Sequence, residues 1–414
     1  MKMTLIHPSR AAELTPQQRV AQVASMPSVH RAFEWFRLRE RELREQQMEL
    51  TAIPAPPFGE QRRAEWLRNR FRALGLQEVE IDEVGNVIAL RKGRASGKAI
   101  AISAHIDTVF PAETNVQVFQ DRERLHGPGI SDNAAGVTAM IALAAALEDA
   151  GIPHESDLLF IGNVGEEGEG DLRGMRHIFS QEKWRTRVAH TVVLDGTGTD
   201  SIVTEGLGSR RFEVMVTGPG GHSWNDFGAP NPIVILARAI ASFSQTQVPA
   251  SPKTTFNIGT ICGGTSVNSI PESAKVRVDL RSASLDEIRK LEEALLDAVS
   301  REAATMSASG EGPSQKVTAT IKKIGDRPAA ELPPKAYLLQ AIRAVDSHLG
   351  ISSHFRRAST DANIPLSLGM EAISIGAGGQ GGGAHTLHEW YDPTGRALAL
   401  KRILLLALVL AGVA

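Results

Sequence analysis

Acidic and imidazole side chains stand just after short apolar runs at several places in this chain: His105 with Asp107, Asp132, the Glu166-Glu167 pair, Asp195 and His385. Those residue types suit a pair of adjacent divalent ions with a general base beside them. A two-metal hydrolytic site needs nitrogen and oxygen ligands, a carboxylate to bridge the ions, and a free carboxylate to take a proton from the attacking water. His105 offers a first ligand, and Asp107, two residues on, is placed to accept its other ring N–H. Asp132 can bridge. Glu166 and Glu167 cannot point the same way in an extended segment, so one can bind metal while its neighbour faces substrate. Asp195 and His385 then complete two three-ligand sites. Histidine and carboxylate ligands suit zinc, with cobalt and manganese close behind. Each residue alone has an ordinary reading, as a hydrogen-bonded histidine or a solvated acid. Their joint placement at successive strand ends is what points to metal, because ligands of open α/β sheets gather at the carboxyl ends of the strands.

The elements that must deliver these residues are legible in the apolar periodicity. A charged helix spans roughly 28–49 and runs into the breaker Ile53-Pro54-Ala55-Pro56-Pro57. A second helix covers about 60–74 and stops at Gly75. Strands follow near 78–81, 87–90 and immediately before His105. Asp132 opens a helix in which Val137, Met140, Ile141, Ala144 and Leu147 recur at helical spacing. Apolar strands at 158–161 and 191–194 end near Glu166 and Asp195. Alternating strands and helices predict an α/β domain, a mostly parallel sheet flanked by helices. After Gly206 the pattern changes to strict alternation: Phe212, Val214 and Val216 face one way, Arg211, Glu213 and Met215 the other. Asn231-Pro232 opens a helix, strands follow at about 254–261 and 274–280, Ser284-Leu285-Asp286-Glu287 reads as a capping box, and a last strand covers 317–324. That order predicts a ferredoxin-like α+β unit inserted as a lid and dimerisation domain. The expected division is 1–207 and 329–414 for the catalytic domain, with 208–328 inserted.

Composition narrows the class. At 414 residues the chain is too long for one ordinary core. Its 42% hydrophobic and 22% charged residues are those of a globular protein, and a net charge of −2 gives no general pull toward nucleic acid. The single cysteine, Cys262, excludes a disulfide framework or a thiolate-rich zinc site and suits a reducing cytoplasm. Residues 1–8 lack the apolar core of a signal peptide. The apolar run from Ile403 to Ala414 is too short to span a bilayer, which takes about 20 residues, and reads as a buried terminal helix. No membrane association is expected.

The segments Ser103-Ala104-His105-Ile106-Asp107-Thr108-Val109, Gly127-Pro128-Gly129-Ile130-Ser131-Asp132-Asn133-Ala134-Ala135-Gly136, Gly165-Glu166-Glu167-Gly168 and Ala384-His385-Thr386-Leu387-His388-Glu389-Trp390 resemble the dizinc metallopeptidase family of peptidase T, glutamate carboxypeptidase and acetylornithine deacetylase. The resemblance covers nearly the whole chain. It implies one zinc on His105 and Asp195, the other on Glu167 and His385, Asp132 bridging, Glu166 as general base and Asp107 behind His105. It also implies a cis bond between Asp132 and Asn133. Gly218-Pro219-Gly220-Gly221-His222-Ser223 resembles the loop whose histidine reaches a neighbouring subunit's site to stabilise the oxyanion, which requires a homodimer. Asn268, in Thr265-Ser266-Val267-Asn268-Ser269-Ile270-Pro271, and Arg281, in Asp279-Leu280-Arg281, match substrate-facing positions. Arg281 lies on the polar side of its strand, where an ordinary ion pair competes with a substrate carboxylate. His388 stands where relatives often carry an acid, and the spacing to Glu389 favours His385 as ligand. His126, His154, His177, His190 and His354 read as structural or exposed. Gly376-Ala377-Gly378-Gly379-Gln380-Gly381 formally fits a dinucleotide fingerprint, but no helix follows. A loop around Gly378 whose backbone approaches the substrate fits better.

The expectation is a metal-dependent hydrolase of small peptide or N-acyl amino acid substrates. Aspartate at 195 and the stretches Ile324-Gly325-Asp326-Arg327-Pro328 and 383–390 resemble the peptidase T side of the family, hence a di- or tripeptide aminopeptidase. The alternative within the family is a deacylase or carboxypeptidase. The alternative of another class is a non-catalytic metal- or peptide-binding protein, for which a lost ligand or base would be the sign, and none is lost.

Overall fold

The computed structural model describes residues 14–95, 97–308 and 316–413. The first residues, read above as lacking a signal sequence, lie outside these. A nine-stranded sheet forms the larger layer. Its centre is four parallel strands in the spatial order Leu158–Asn163, Ala99–His105, Val188–Leu194 and Glu371–Ile375. Parallel pairing is confined to this centre and to the His354–Ala358 strand, which joins Ser201–Gly206; the remaining pairings are antiparallel. The apolar run before His105 is buried along its whole length, as a strand covered on both faces must be. Ile100, Ile102 and Ala104 enter one core with the helices Ala134–Asp149 and Arg396–Ala411. Ala99 and Ala101 enter the opposite core, with Met175, Ile178, Phe179 and Trp184.

Helix Ala134–Asp149 is apolar nearly all round because it lies between the sheet and a second layer of helices. It starts two residues later than Asp132: Asn133 is its cap, and the Asn133 side chain accepts the Gly136 amide at 3.1 Å. The expected single helix over 28–49 is two, Pro27–Leu38 and Glu40–Thr51, broken at Arg39. No glycine or proline marks that break; it lets both pieces lie against Ala134–Asp149. Residues 403–411 of the terminal apolar run belong to the buried helix Arg396–Ala411, and Ala414 lies outside the described residues. Arg402, fully buried on that helix, forms two bonds to Asp346, at 2.6 and 2.7 Å. No helix among the described residues is long and apolar enough to cross a membrane.

The chain leaves the large sheet after Gly206 and rejoins it at Ala330. Between them lies a four-stranded antiparallel sheet ordered Thr254–Gly263, Ser273–Ser282, Gly208–Thr217, Thr318–Arg327. This is the ferredoxin-like arrangement. Phe212, Val214 and Val216 are buried against helices Pro232–Phe243 and Leu285–Ala308. Asn231 caps the first helix by accepting the amides of Ile233 and Val234. Only half of the expected capping box forms on the second. Ser284 Oγ accepts the Glu287 amide at 3.4 Å, but the Ser284 amide donates to Ser282 Oγ and the Glu287 carboxylate pairs with Lys290. The opposite, polar face of this sheet looks onto the loop after Glu167, where Arg211 donates to the Gly168 carbonyl at 2.7 Å.

Candidate metal centre

The carboxyl ends of the four central strands share one edge, and each delivers part of the cluster. His105 ends its strand level with Asn163, three residues before Glu166. Asp195 follows Leu194, and the last strand leads through the glycine run toward His385. Asp132 comes from the loop ahead of helix Ala134–Asp149, and its bond to Asn133 is cis, as the resemblance implies. Its two carboxylate oxygens face different imidazoles. Oδ1 lies 3.1 Å from His105 Nε2, and Oδ2 lies 3.2 Å from His385 Nε2. Asp195 Oδ1 lies 3.8 Å from His105 Nε2, and Glu167 Oε1 lies 3.0 Å from His385 Nε2.

Two groups therefore form around a shared carboxylate: His105, Asp132 and Asp195, and Asp132, Glu167 and His385. A third grouping, His105 with Glu166 and Glu167, lies alongside. Ligand atoms about 2.1 Å from a tetrahedral zinc stand about 3.4 Å from one another, which these separations bracket. The residues fit two divalent ions. His388 is absent from every such group among the described residues; its amide donates to Thr386 Oγ1.

The electrostatics fit the same reading. Burial works to lower the His105 imidazole, but hydrogen bonds to Asp107, Asp132 and Asp195 outweigh it and hold it well above its ordinary value. Hydrogen bonds to Asp132 and Glu167 push His385 up to about 10. Burial opposes ionisation of Asp132, yet the two imidazoles bring its carboxyl well below the usual range. So much negative charge converging on two imidazoles calls for cations. Glu166 differs: burial drives it well above the ordinary carboxylate value, against the pull of Arg327 and His105.

Asp107 does more than the sequence suggests. His105 Nδ1 lies 3.5 Å from its carboxylate and 3.2 Å from its backbone carbonyl. The carboxylate itself accepts the amides of Glu166 at 3.0 Å and Glu167 at 2.8 Å, so one buried acid fixes both the His105 ring and the Glu-Glu pair.

Four further residues complete the setting; none was given a role in the site from sequence, although Glu389 and Arg327 stand in stretches quoted for the resemblance. Glu389 is fully buried and accepts the amides of Gly129, Ser131 and Asp132 and the Ser131 hydroxyl, at 2.6 to 2.8 Å. Its spacing from His385 was legible; the loop it holds, some 260 residues upstream, was not. Arg63 is buried and donates to the carbonyls of Ile53 at 2.7 Å and Ile106 at 3.0 Å, tying the helix ends to the segment between His105 and Asp107. Asp361 is buried and accepts from Asn163 Nδ2 at 2.6 Å; burial pushes its carboxyl up to about 7. Arg327 donates to Glu166 Oε1 at 3.0 Å.

The substrate-facing candidates are spread more widely. His222 and Asn268 come together on the inserted domain, where Gly221–His222 pairs with Ser269–Ile270 and the Ser223 amide donates to the Asn268 carbonyl at 3.0 Å. Among the described residues the His222 side chain bonds only within its own loop, where Nδ1 accepts the amides of Trp224 at 3.2 Å and Asn225 at 3.5 Å, while the His222 amide donates to the Asp226 carboxylate. Arg281 makes the sheet-surface ion pair weighed above, to Asp279 at 2.6 Å. Gly378 has its amide on the Gly198 carbonyl and its own carbonyl on the Tyr391 hydroxyl. With φ at +85° and Ala399 Cβ only 2.4 Å from where its Cβ would be, it seats the loop on the terminal helix.

Comparison with known proteins agrees with this geometry. A peptidase M20 domain-containing protein of Schizosaccharomyces pombe is 28% identical over 245 residues, 56% of this chain and 59% of that protein. A probable carboxypeptidase of Ajellomyces dermatitidis is 35% identical over 225 residues, 49% of this chain and 50% of that one. The chain thus spans about half the length of the curated relatives it matches. The crystal structure of a tripeptidase from Staphylococcus aureus superposes with a TM-score of 0.73 at 22% identity, covering 90% of this chain and 98% of that one, a likeness of fold. The model of peptidase family M20/M25/M40 matches residues 101–410, which include every candidate ligand from His105 to His385. With a dinuclear ligand set at the strand ends and a match over three quarters of its length, this chain belongs to peptidase family M20/M25/M40.

Proposed function

We propose that the chain is a metal-dependent hydrolase that cleaves small peptides, with Glu166 as its general base. The observation that carries this reading is Asp132, whose two oxygens each meet a different imidazole beside a buried, separately held Glu166. In this reading His105, Asp132 and Asp195 hold one divalent ion and Asp132, Glu167 and His385 the other, with zinc the expected metal. Bound ions supply Lewis acidity toward the amide carbonyl and make water a better nucleophile. Glu166 takes the proton from the attacking water and passes it to the leaving nitrogen. Its burial supports that role, since a carboxyl kept above its ordinary value can hold a proton between the two steps. Asp107 keeps His105 and the Glu166-Glu167 backbone in register.

The end of the peptide that is cleaved divides two readings. Aspartate at 195 supports a di- or tripeptide aminopeptidase, and the tripeptidase fold likeness accords with it. A carboxypeptidase is the second reading, favoured by Arg281 on the polar sheet face and by the name of the Ajellomyces dermatitidis relative. The inserted domain's role as dimerisation surface is supported by its bare apolar residues: Trp224, Phe227 and Val267 beside the His222 loop and Ile261 on the outer strand are all exposed. His222, turned outward on its own loop, would serve the partner's site as an oxyanion donor.

Protein loaded with zinc, cobalt or manganese and offered di- and tripeptides, free or blocked at either end, tests the assignment. Cleavage that requires a free amino terminus is the expected result. Cleavage that requires a free carboxylate and tolerates an acetylated amine moves the assignment to carboxypeptidase or deacylase. No cleavage of any peptide with two metals bound removes the peptidase reading and leaves other small amides as the substrate class.

A further inference from the structure

We infer that Arg327 is the positioning residue for the Glu166 carboxylate, so that the inserted domain, within the same chain, sets where the general base points. The loop carrying Glu166 is irregular. Gly165, Gly168, Asp171 and Leu172 all have positive φ, between 50° and 66°, and a single 3-10 turn, Gly168–Gly170, is the regular structure between the strand end and Leu172. Asp107 ties down its backbone from the large domain. The inserted domain holds it from the other side. Arg211 donates to the Gly168 carbonyl at 2.7 Å, Arg277 pairs with Glu169 at 3.0 Å, and the Asp326 amide donates to the Asp171 carboxylate at 3.0 Å.

Arg327 differs from its neighbours in depth and in target. It is only 5% exposed, as is Glu166. Nη1 donates to Glu166 Oε1 at 3.0 Å and to Ser359 Oγ at 3.2 Å, while Nη2 donates to the Glu166 carbonyl. One planar guanidinium therefore grips the backbone and the side chain of the same residue, fixing the rotamer as well as the position. Among the described residues it is the hydrogen-bond donor to that carboxylate. The exposed pair Arg277–Glu169 has little comparable leverage, since solvent screens it. Arg327 is also the last residue of strand Thr318–Arg327, three residues before the chain re-enters the large sheet. It stands where the two domains join.

This inference rests on Glu166 being the base, and its test separates the two claims. Arg327→Gln, Arg327→Lys, Arg277→Ala, Glu166→Gln and the double variant Arg327→Gln/Glu166→Gln are made in the full chain. All are loaded with zinc, and kcat, KM and bound metal are measured on a peptide the wild type cleaves. Arg327→Gln is expected to lower kcat about 100-fold, the scale of a misplaced reacting group, with KM and metal content held. Arg327→Lys should recover part of kcat, keeping the charge but not the two-point grip. Arg277→Ala should act like wild type, and the double variant should be no slower than Glu166→Gln alone. If Arg327→Gln folds poorly, the lysine variant decides: wild-type kcat in it overturns the proposal. A raised KM at unchanged kcat also overturns it and makes Arg327 a substrate contact. Independent, additive losses in the double variant would do so too. Wild-type turnover in Glu166→Gln removes the base itself; an inert Glu166→Gln beside an unaffected Arg327→Gln keeps the base and discards Arg327.

Discussion

Glu389 shows how the loop carrying Asp132 can be held by one residue outside the candidate ligand set. Four donors from Gly129, Ser131 and Asp132 converge on its two oxygens, and burial has already raised its carboxyl above the ordinary range. In Glu389→Gln one acceptor oxygen becomes an NH2 group facing those donors. Loss of charge-assisted bonds there should cost about 1.5–3 kcal/mol, read as a lower melting temperature, together with weaker metal binding in a titration because Asp132 is released. Unchanged metal affinity would confine Glu389 to the fold. At this scale the sequence showed the candidate ligands well: His105, Glu167 and Asp195 stand at or just after apolar strands, and Asp132 just ahead of an apolar helix. It showed the supporting residues poorly. Arg63, Asp361 and Arg327 owe their roles to partners brought near only by folding, such as Ile106, Asn163 and Glu166. Asp107 was read as a partner of His105, beside which its carboxylate lies, and it also accepts backbone amides 59 and 60 residues away.

At the level of elements, periodicity carried the fold. Alternation identified the small sheet, and unbroken apolar runs identified strands covered on both faces. What it missed were features decided by neighbours: the break at Arg39, the half-formed cap at Ser284, and the antiparallel margins of the large sheet. The same holds for the tie between the terminal helix and the rest. Gln47, on helix Glu40–Thr51, donates to the Ile130 carbonyl at 2.6 Å and accepts from buried Arg396 at 2.5 Å, linking both ends of the described chain to the Asp132 loop. The turn before strand Leu158–Asn163 is a second tie. Glu155 and Ser156 donate their amides to the carbonyls of Gly412 and Ala411. His154 in that turn bonds to the Ser156 carbonyl at 2.7 Å, and burial, with the nearby charge of Arg91, holds it below its ordinary value of 6.5. Its folded state therefore favours the neutral ring while the unfolded chain takes up a proton more readily. The contribution to stability is full above 6.5 and is lost as pH falls through the depressed folded value. Denaturant midpoints from pH 8 down to 5 should fall less steeply in His154→Asn than in wild type. Parallel curves would mean His154 does not titrate with folding.

Across the whole molecule, the catalytic groups divide between two domains and, in the proposed dimer, between two chains. The large sheet carries the candidate ligands, while the inserted domain brings Arg327 to Glu166 of its own chain and, in the proposed dimer, would bring His222 to the partner's site. If His222 acts across subunits, His222→Ala and Glu166→Gln are each inactive alone for different reasons. Mixed dimers pair an intact His222 with an intact Glu166 at one site of the two. Activity should therefore appear when the variants are unfolded and refolded together, approaching a quarter of wild type for random pairing. Continued inactivity of the mixture would place His222 in its own chain's site or outside catalysis.

In the proposed mechanism two divalent ions and Glu166 together bring about hydrolysis of an amide. Protein stripped by a chelator should be reloaded stepwise with zinc, and hydrolysis of a free-amine dipeptide followed beside bound metal, in wild type and in Glu166→Gln. The shared position of Asp132 predicts turnover that reaches its full value at two equivalents of metal, and in Glu166→Gln the same two equivalents with most turnover gone. Full turnover without metal, or undiminished turnover in Glu166→Gln, would contradict it.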